Sequence, residues 1–115
     1  MYFDDVLEMY VIEIEGITFA CGDEPTGNYE DKLLDMAEKY WSNLDSIIKF
    51  TMPYLQKMYG DVDAEMVKEN LGSPTIFFEN GQVDYYEQTF DDWHVFGFEF
   101  LDSEFKNLRY FSIDG

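Results

Sequence analysis

Two stretches of strict alternation meet at a Glu-Gly pair, and their phase leaves one way of pairing them. Tyr10, Ile12 and Ile14 alternate with Val11, Glu13 and Glu15, and after Glu15-Gly16 the alternation resumes at Ile17, Phe19 and Cys21. Successive side chains on a strand point to opposite sides, so a one-residue slip would turn every apolar side chain from core to solvent. With Glu15-Gly16 as a two-residue turn, Ile14 faces Ile17, Ile12 faces Phe19 and Tyr10 faces Cys21, all on one side. The chain therefore opens with a half-buried β-hairpin whose apolar side needs a second layer to cover it.

The middle of the chain supplies that layer. Gly22 to Asn28, with Pro25 and Gly27, reads as a loop, and beyond it the apolar period changes to three and four. Leu33, Leu34, Ala37, Tyr40 and Trp41 mark a first helix. Ser42 and Asp45 have the spacing of a capping box for a second, which carries Leu44, Ile47, Ile48, Leu55 and Met58 and ends at Gly60. Pro53 falls inside it, where the missing N–H is expected to kink or split the helix. A short third helix is predicted from about Asp63 to Asn70, ended by Gly72.

The remainder reads as strands. Thr75 to Phe78 and Gln82 to Gln88 flank Asn80-Gly81, a strong hairpin signal that pairs Phe78 with Val83 and Ile76 with Tyr85. Phe77 and Tyr86 then point to the other side, beside Asp84 and Thr75. Asp91-Asp92 reads as a further turn. The next strand sets His94, Phe96, Phe98 and Phe100 on one face against Trp93, Val95 and Leu101 on the other, and a last strand covers Leu108 to Ile113. The expected architecture is α+β: an N-terminal hairpin, two to three helices and a C-terminal antiparallel meander, with helices packed on one sheet in one domain of residues 1–115.

The hairpin Ile12 to Phe19, the helical stretch ending Tyr59-Gly60 and the run Leu71-Gly72-Ser73-Pro74-Thr75-Ile76-Phe77-Phe78-Glu79-Asn80-Gly81-Gln82-Val83 resemble an uncharacterised bacterial family of small acidic domains. Its members are often encoded near polymorphic toxins and are suspected immunity proteins. The family often opens the strand after the meander turn with Gly-His, where this chain has Trp93-His94. The resemblance implies a context of toxin immunity and carries over no catalytic residue.

Charge narrows the partners. Acidic residues number 25 against seven Lys and Arg, a net charge of −18, yet 46% of the residues are hydrophobic, with 11 Phe and nine Tyr. That is too rich in core formers for a disordered acidic chain. No base precedes Lys32, and only Lys106 and Arg109 follow Lys68. Such a surface repels nucleic acid and anionic membranes and attracts basic proteins, although solubility alone is the other reading of the charge. Cys21 is the only cysteine, and Met1-Tyr2-Phe3-Asp4-Asp5 lacks the basic start and apolar core of a secretory signal, so a reducing cytoplasm is expected.

Catalytic patterns are not expected. One Cys and one His, with Cys21 pointing to the core and His94 at its edge with a hydrogen-bonded ring, do not form a nucleophile–base pair. Asp61-Val62-Asp63-Ala64-Glu65 imitates a calcium loop, but Met66 stands where the sharp turn needs glycine, and an acidic helix start accounts for the cluster. No glycine-rich phosphate loop occurs, and no metal or cofactor is expected. The leading expectation is a non-enzymatic binding protein that occludes a basic partner, in its most specific form an immunity protein against a toxin such as a nuclease. The expected surface is Asp84, Tyr86, Asp91, Asp92 and Trp93, aromatic anchors beside carboxylates, exposed unless the N-terminal hairpin or a second subunit covers them. The alternatives are a small-ligand or housekeeping domain with an apolar pocket between helices and sheet, and a hydrolase built on two facing carboxyls, one with a raised pKa. Oligomeric state stays open.

Overall fold

The computed structural model describes residues 1–115. Tyr2–Asp4 (β1), Met9–Ile14 (β2) and Ile17–Cys21 (β3) are followed by Tyr29–Ser42 (α1), Leu44–Tyr59 (α2) and Ala64–Asn70 (α3), and then by Thr75–Phe77 (β4), Gln82–Tyr85 (β5), Val95–Phe100 (β6) and Leu108–Asp114 (β7). The seven strands form one sheet in sequence order. Every neighbouring pair is antiparallel except β3–β4. A parallel pair cannot be closed by a tight turn, and the three helices make that crossover. The fold is the expected α+β arrangement of helices on a sheet, with the additional three-residue strand β1, too short to show an alternation in the sequence.

The first hairpin has the expected register: Ile14 opposite Ile17, Ile12 opposite Phe19, Tyr10 opposite Cys21. Glu15 (φ 53°) and Gly16 (φ 76°) both take left-handed backbone, the turn whose twist matches the strands it joins. The second hairpin corrects its prediction. Ile76 lies opposite Val83 and Phe77 opposite Gln82, so the connection is four residues, Phe78 to Gly81, instead of two. Asn80 N–H closes onto the Phe77 carbonyl at 3.0 Å, and the Gly81 carbonyl is taken by Phe100 N–H at 2.8 Å. The displacement is an even number of residues, so every side chain keeps its expected face while its neighbour changes.

Two helix expectations also change. Ser42 does not open α2. It ends α1, and Asn43 separates the helices, its side-chain amide donating to the Lys39 carbonyl at 2.9 Å, so it closes α1 and leaves α2 without a side-chain cap. Pro53 does not split α2, which runs unbroken from Leu44 to Tyr59. Gly60 caps α2, as expected, and Asp63, at the predicted start of the third helix, caps α3 by accepting the Met66 N–H at 2.9 Å.

Between the layers, Leu33, Ala37 and Tyr40 of α1, Ile47, Ile48 and Leu55 of α2 and Val67 of α3 meet Ile17, Phe19, Ile76, Val83, Tyr85, Phe96 and Phe98 of the sheet. Each large apolar side chain buried this way contributes roughly 1.5–3 kcal/mol. The two deepest hydroxyls, on Tyr40 and Tyr85, satisfy one another at 2.7 Å, and burial drives the titration of both upward. Cys21 is buried as predicted.

Candidate functional site

The helices cover one side of the sheet, and strand register fixes what the other side presents. One row across it reads Glu13, Thr18, Thr75, Asp84, Gly97 and Ser112. The next row reads Tyr2, Val11, Ala20, Phe77, Gln82, Glu99 and Arg109. Small residues form most of the floor, and Val11 and Ala20 are shielded within it. The carboxylates of Glu13, Asp84 and Glu99 stand above it. Strands β1–β6 contain no Lys or Arg. Arg109 on β7 is the exception on this side, and it is held by Glu99 at 3.1 Å. The lysines at 32, 39, 49, 57 and 68 all lie on the helices. Basic side chains are thus kept off β1–β6, whereas the helices carry seven carboxylates beside their five lysines.

On the open side, Gln82 and Asp84 of β5 and Tyr86 just beyond its end form a hydrogen-bonded line. Gln82 Nε2 donates to Asp84 Oδ1 at 2.8 Å, and the Tyr86 hydroxyl donates to Asp84 Oδ2 at 3.1 Å. Gly97 on the neighbouring strand makes room for it: a Cβ there would lie 2.5 Å from Asp84 Oδ1 and 2.8 Å from Gln82 Nε2. The absent side chain lets both polar groups lie flat across β6. Tyr86, half-exposed, titrates at about 12, raised by its partial burial and by the Asp84 carboxylate beside it. Each Asp84 oxygen accepts one hydrogen bond here and keeps capacity for another.

Asp91 belongs elsewhere. Its Oδ2 accepts from the Tyr59 hydroxyl at the end of α2 and from His94 Nδ1 at 2.6 Å. Its Oδ1 accepts from Gln88 Nε2 at 2.9 Å and from the backbone N–H groups of Trp93 and His94. Burial disfavours the ionised carboxyl, but the bonds from Tyr59, the His94 backbone, Gln88 and the His94 ring outweigh it and hold the group well below the usual carboxylate range. An ionised carboxylate only accepts, so Nδ1 carries the proton in the His94 ring. Gln88 is buried and also donates to the His94 carbonyl at 2.7 Å, while its own carbonyl takes the Phe90 N–H at 2.8 Å. The cluster latches α2 to the turn before β6.

The five predicted surface residues therefore divide. Asp84 and Tyr86 lie on the open side. Asp91 is committed to the latch, and Asp92 is exposed in the turn beside it. Trp93, 64% exposed, does not sit across the strand from His94 as expected: β6 begins only at Val95, and the two rings lie tilted against each other with centroids 3.6 Å apart. Sequence reading missed Gln88 and Tyr59, whose roles depend on contacts 3 and 32 residues away. It also missed the Gln82–Asp84–Tyr86 line, for which the alternation of Gln82, Asp84 and Tyr86 on one face was the available signal.

An apolar hollow lies between a helix and the sheet, where Tyr54 and Met58 of α2 meet Phe111 and Ile113 of β7. Elsewhere the space between helices and sheet is filled by wholly buried side chains, and the other surface hollows lie at the rim, at Gln56 to Asp63 and at Asn28 to Asp31. The carboxyl groups with displaced titration, Asp91 and Asp102, both move downward because hydrogen bonds to their ionised forms outweigh burial. No helix is long and apolar enough to cross a membrane. A scan against protein-family models, a search of curated proteins and a search of solved structures returned no match, so the likeness to toxin-associated acidic domains rests on the sequence pattern alone.

Proposed function

We propose that this chain is a non-enzymatic protein-binding domain whose open sheet side docks onto a basic protein, and that its specific role is immunity against a toxin carrying a phosphate-binding active site. The observation that carries this reading is the absence of basic residues from β1–β6, which leaves Glu13 and Asp84 without a cationic neighbour on those strands, while five of the six lysines sit on the helices. Lysine or arginine side chains of the partner would meet these carboxylates, with Phe77 and Tyr86 as apolar contacts between them. Occlusion is the mechanism, the carboxylates taking positions that substrate phosphates would hold. Asp84 is oriented in advance by Gln82 and Tyr86, so less side-chain freedom is lost on docking.

Affinity capture from the native host at low and high salt, read by mass spectrometry, tests the reading. One basic protein retained at low salt and depleted at high salt is the expected result. Retention of no specific protein in either condition, or of an acidic one indifferent to salt, counts against it.

A further inference from the structure

The two edges of the sheet differ. β1 offers three residues at one edge, whereas β7 offers seven at the other. An edge strand leaves alternate backbone N–H and C=O groups without a ladder partner, and a bulge is a common way of blunting it. β7 has a bulge, at Tyr110 (φ 56°), but the stretch Phe111 to Asp114 beyond it is regular. Beside that stretch Tyr54 and Met58 of α2 stand 46% and 50% exposed, and with Phe111, Ile113 and Lys57 they line an apolar groove. An unpaired edge next to an apolar groove suits an extended strand that places apolar side chains on the helix side.

We propose that this strand is β7 of a second copy, forming a two-fold dimer with a sheet continuous across both chains. Charge selects both the occupant and its direction. Arg109 and Asp114 lie on the same side of the sheet at opposite ends of β7. Antiparallel self-pairing brings each Arg109 beside Asp114 of the other copy, whereas parallel pairing would set like against like. Residues directly opposite in an antiparallel pair share a face, so the two-fold axis passes through a residue and not between two. Centred on Ser112, it sets Phe111 of each copy opposite Ile113 of the other on the helix side, where Tyr54 and Met58 of both chains close over them. It also sets Asp114 opposite Tyr110, over whose ring the Arg109 guanidinium already lies at 4.7 Å. A closed, self-complementary contact of this kind is the commonest form of association. Lys57 beside the groove and Arg109, paired with Glu99, put two of the seven basic residues of the chain at this edge. The acidic side of β1–β6 stays free, so this contact neither requires nor blocks the docking proposed above.

The dimer fixes a distance. Directly opposed residues of an antiparallel pair have Cα atoms about 4.5–5.5 Å apart, inside the roughly 4.4–6.8 Å range that a disulfide spans. Ser112→Cys should therefore oxidise to a covalent dimer at rates that Glu13→Cys, on the same side but far from the edge, does not approach. The native Cys21 is buried and adds no background. In sedimentation equilibrium at ~0.5 M salt, where screening removes most of the repulsion, the wild type should show twice the 13.6 kDa chain mass. Tyr54→Glu with Met58→Glu should weaken the dimer ~100-fold. Arg109→Asp or Asp114→Arg alone should weaken it ~10-fold, and the two together should restore it. These positions are on the surface, so the exchange reads association without depending on a disulfide or a core change. A wild type that stays monomeric to ~1 mM at that salt would overturn the proposal. So would a dimer indifferent to Met58→Glu, or one in which Ser112→Cys crosslinks no faster than Glu13→Cys.

Discussion

Asp84 and Asp91 are both aspartates that accept from a glutamine amide and a tyrosine hydroxyl, and they do different work. The Asp84 partners, Gln82 and Tyr86, are two residues away on the same strand side, so the line ties nothing together that the strand does not already hold. The Asp91 partners reach from the end of α2, from Gln88 and from His94, and they join a helix to the turn that starts β6. Local and distant versions of one chemistry thus separate a carboxylate available at the surface from one consumed by the fold. The contrast also sets Asp91 apart from Asp84, with which the sequence reading groups it in one acidic surface.

Removing the latch should have the largest effect. Asp91→Ala strands Tyr59, Gln88 and two backbone N–H groups, and a fall in melting temperature on the order of 10 °C is expected, against about 2 °C or less for Asp84→Ala. Calorimetry of the pair decides the point, and equal losses would erase the distinction. Gln88→Ala, at a buried position, should cost about 2–3 kcal/mol in denaturant unfolding because both ends of its amide are used. Gln82→Ala should stay within about 0.5 kcal/mol.

Acid separates the two carboxyls without mutation. The folded Asp91 carboxyl is displaced below its unfolded value of about 3.9, so its contribution is fully present above that pH and is lost as pH falls toward the depressed folded value. Unfolding followed from pH 6 down to pH 2 should therefore show a steeper loss for wild type than for Asp91→Asn, and parallel curves would contradict the assignment. A smaller effect is expected on the open side. The folded Tyr86 hydroxyl at about 12 lies above its unfolded value of about 10, so its contribution is present below pH 10 and lost as pH rises through 12. Asp84→Asn should lower that titration while the part due to burial remains, as carbon-detected NMR of labelled tyrosine would show.

Legibility in the sequence followed the same division between near and distant partners. The hairpin around Glu15-Gly16 was readable to the residue because alternation and turn lie within twelve positions of each other. Asn80-Gly81 marked a turn correctly and its length incorrectly, since the choice between two and four loop residues depends on the Gly81 carbonyl meeting Phe100 on another strand. Ser42 and Asp45 had the spacing of a cap, but α1 continues through Ser42 and Asn43 closes it from behind. The acidic surface was evident from composition. The grouping of Glu13, Asp84 and Glu99 on one open side of the sheet was not, because that needs six strands aligned in register.

The central claim is that the open sheet side, and not charge in general, receives the basic partner. Capture from the native host with wild type, Asp84→Lys and Glu38→Lys tests it most directly, since the two variants carry the same net charge and differ only in which layer is reversed. Wild type and Glu38→Lys should retain the same basic protein, and Asp84→Lys should lose it. Equal retention by the two variants would contradict the account and leave the acidity of this chain a matter of solubility.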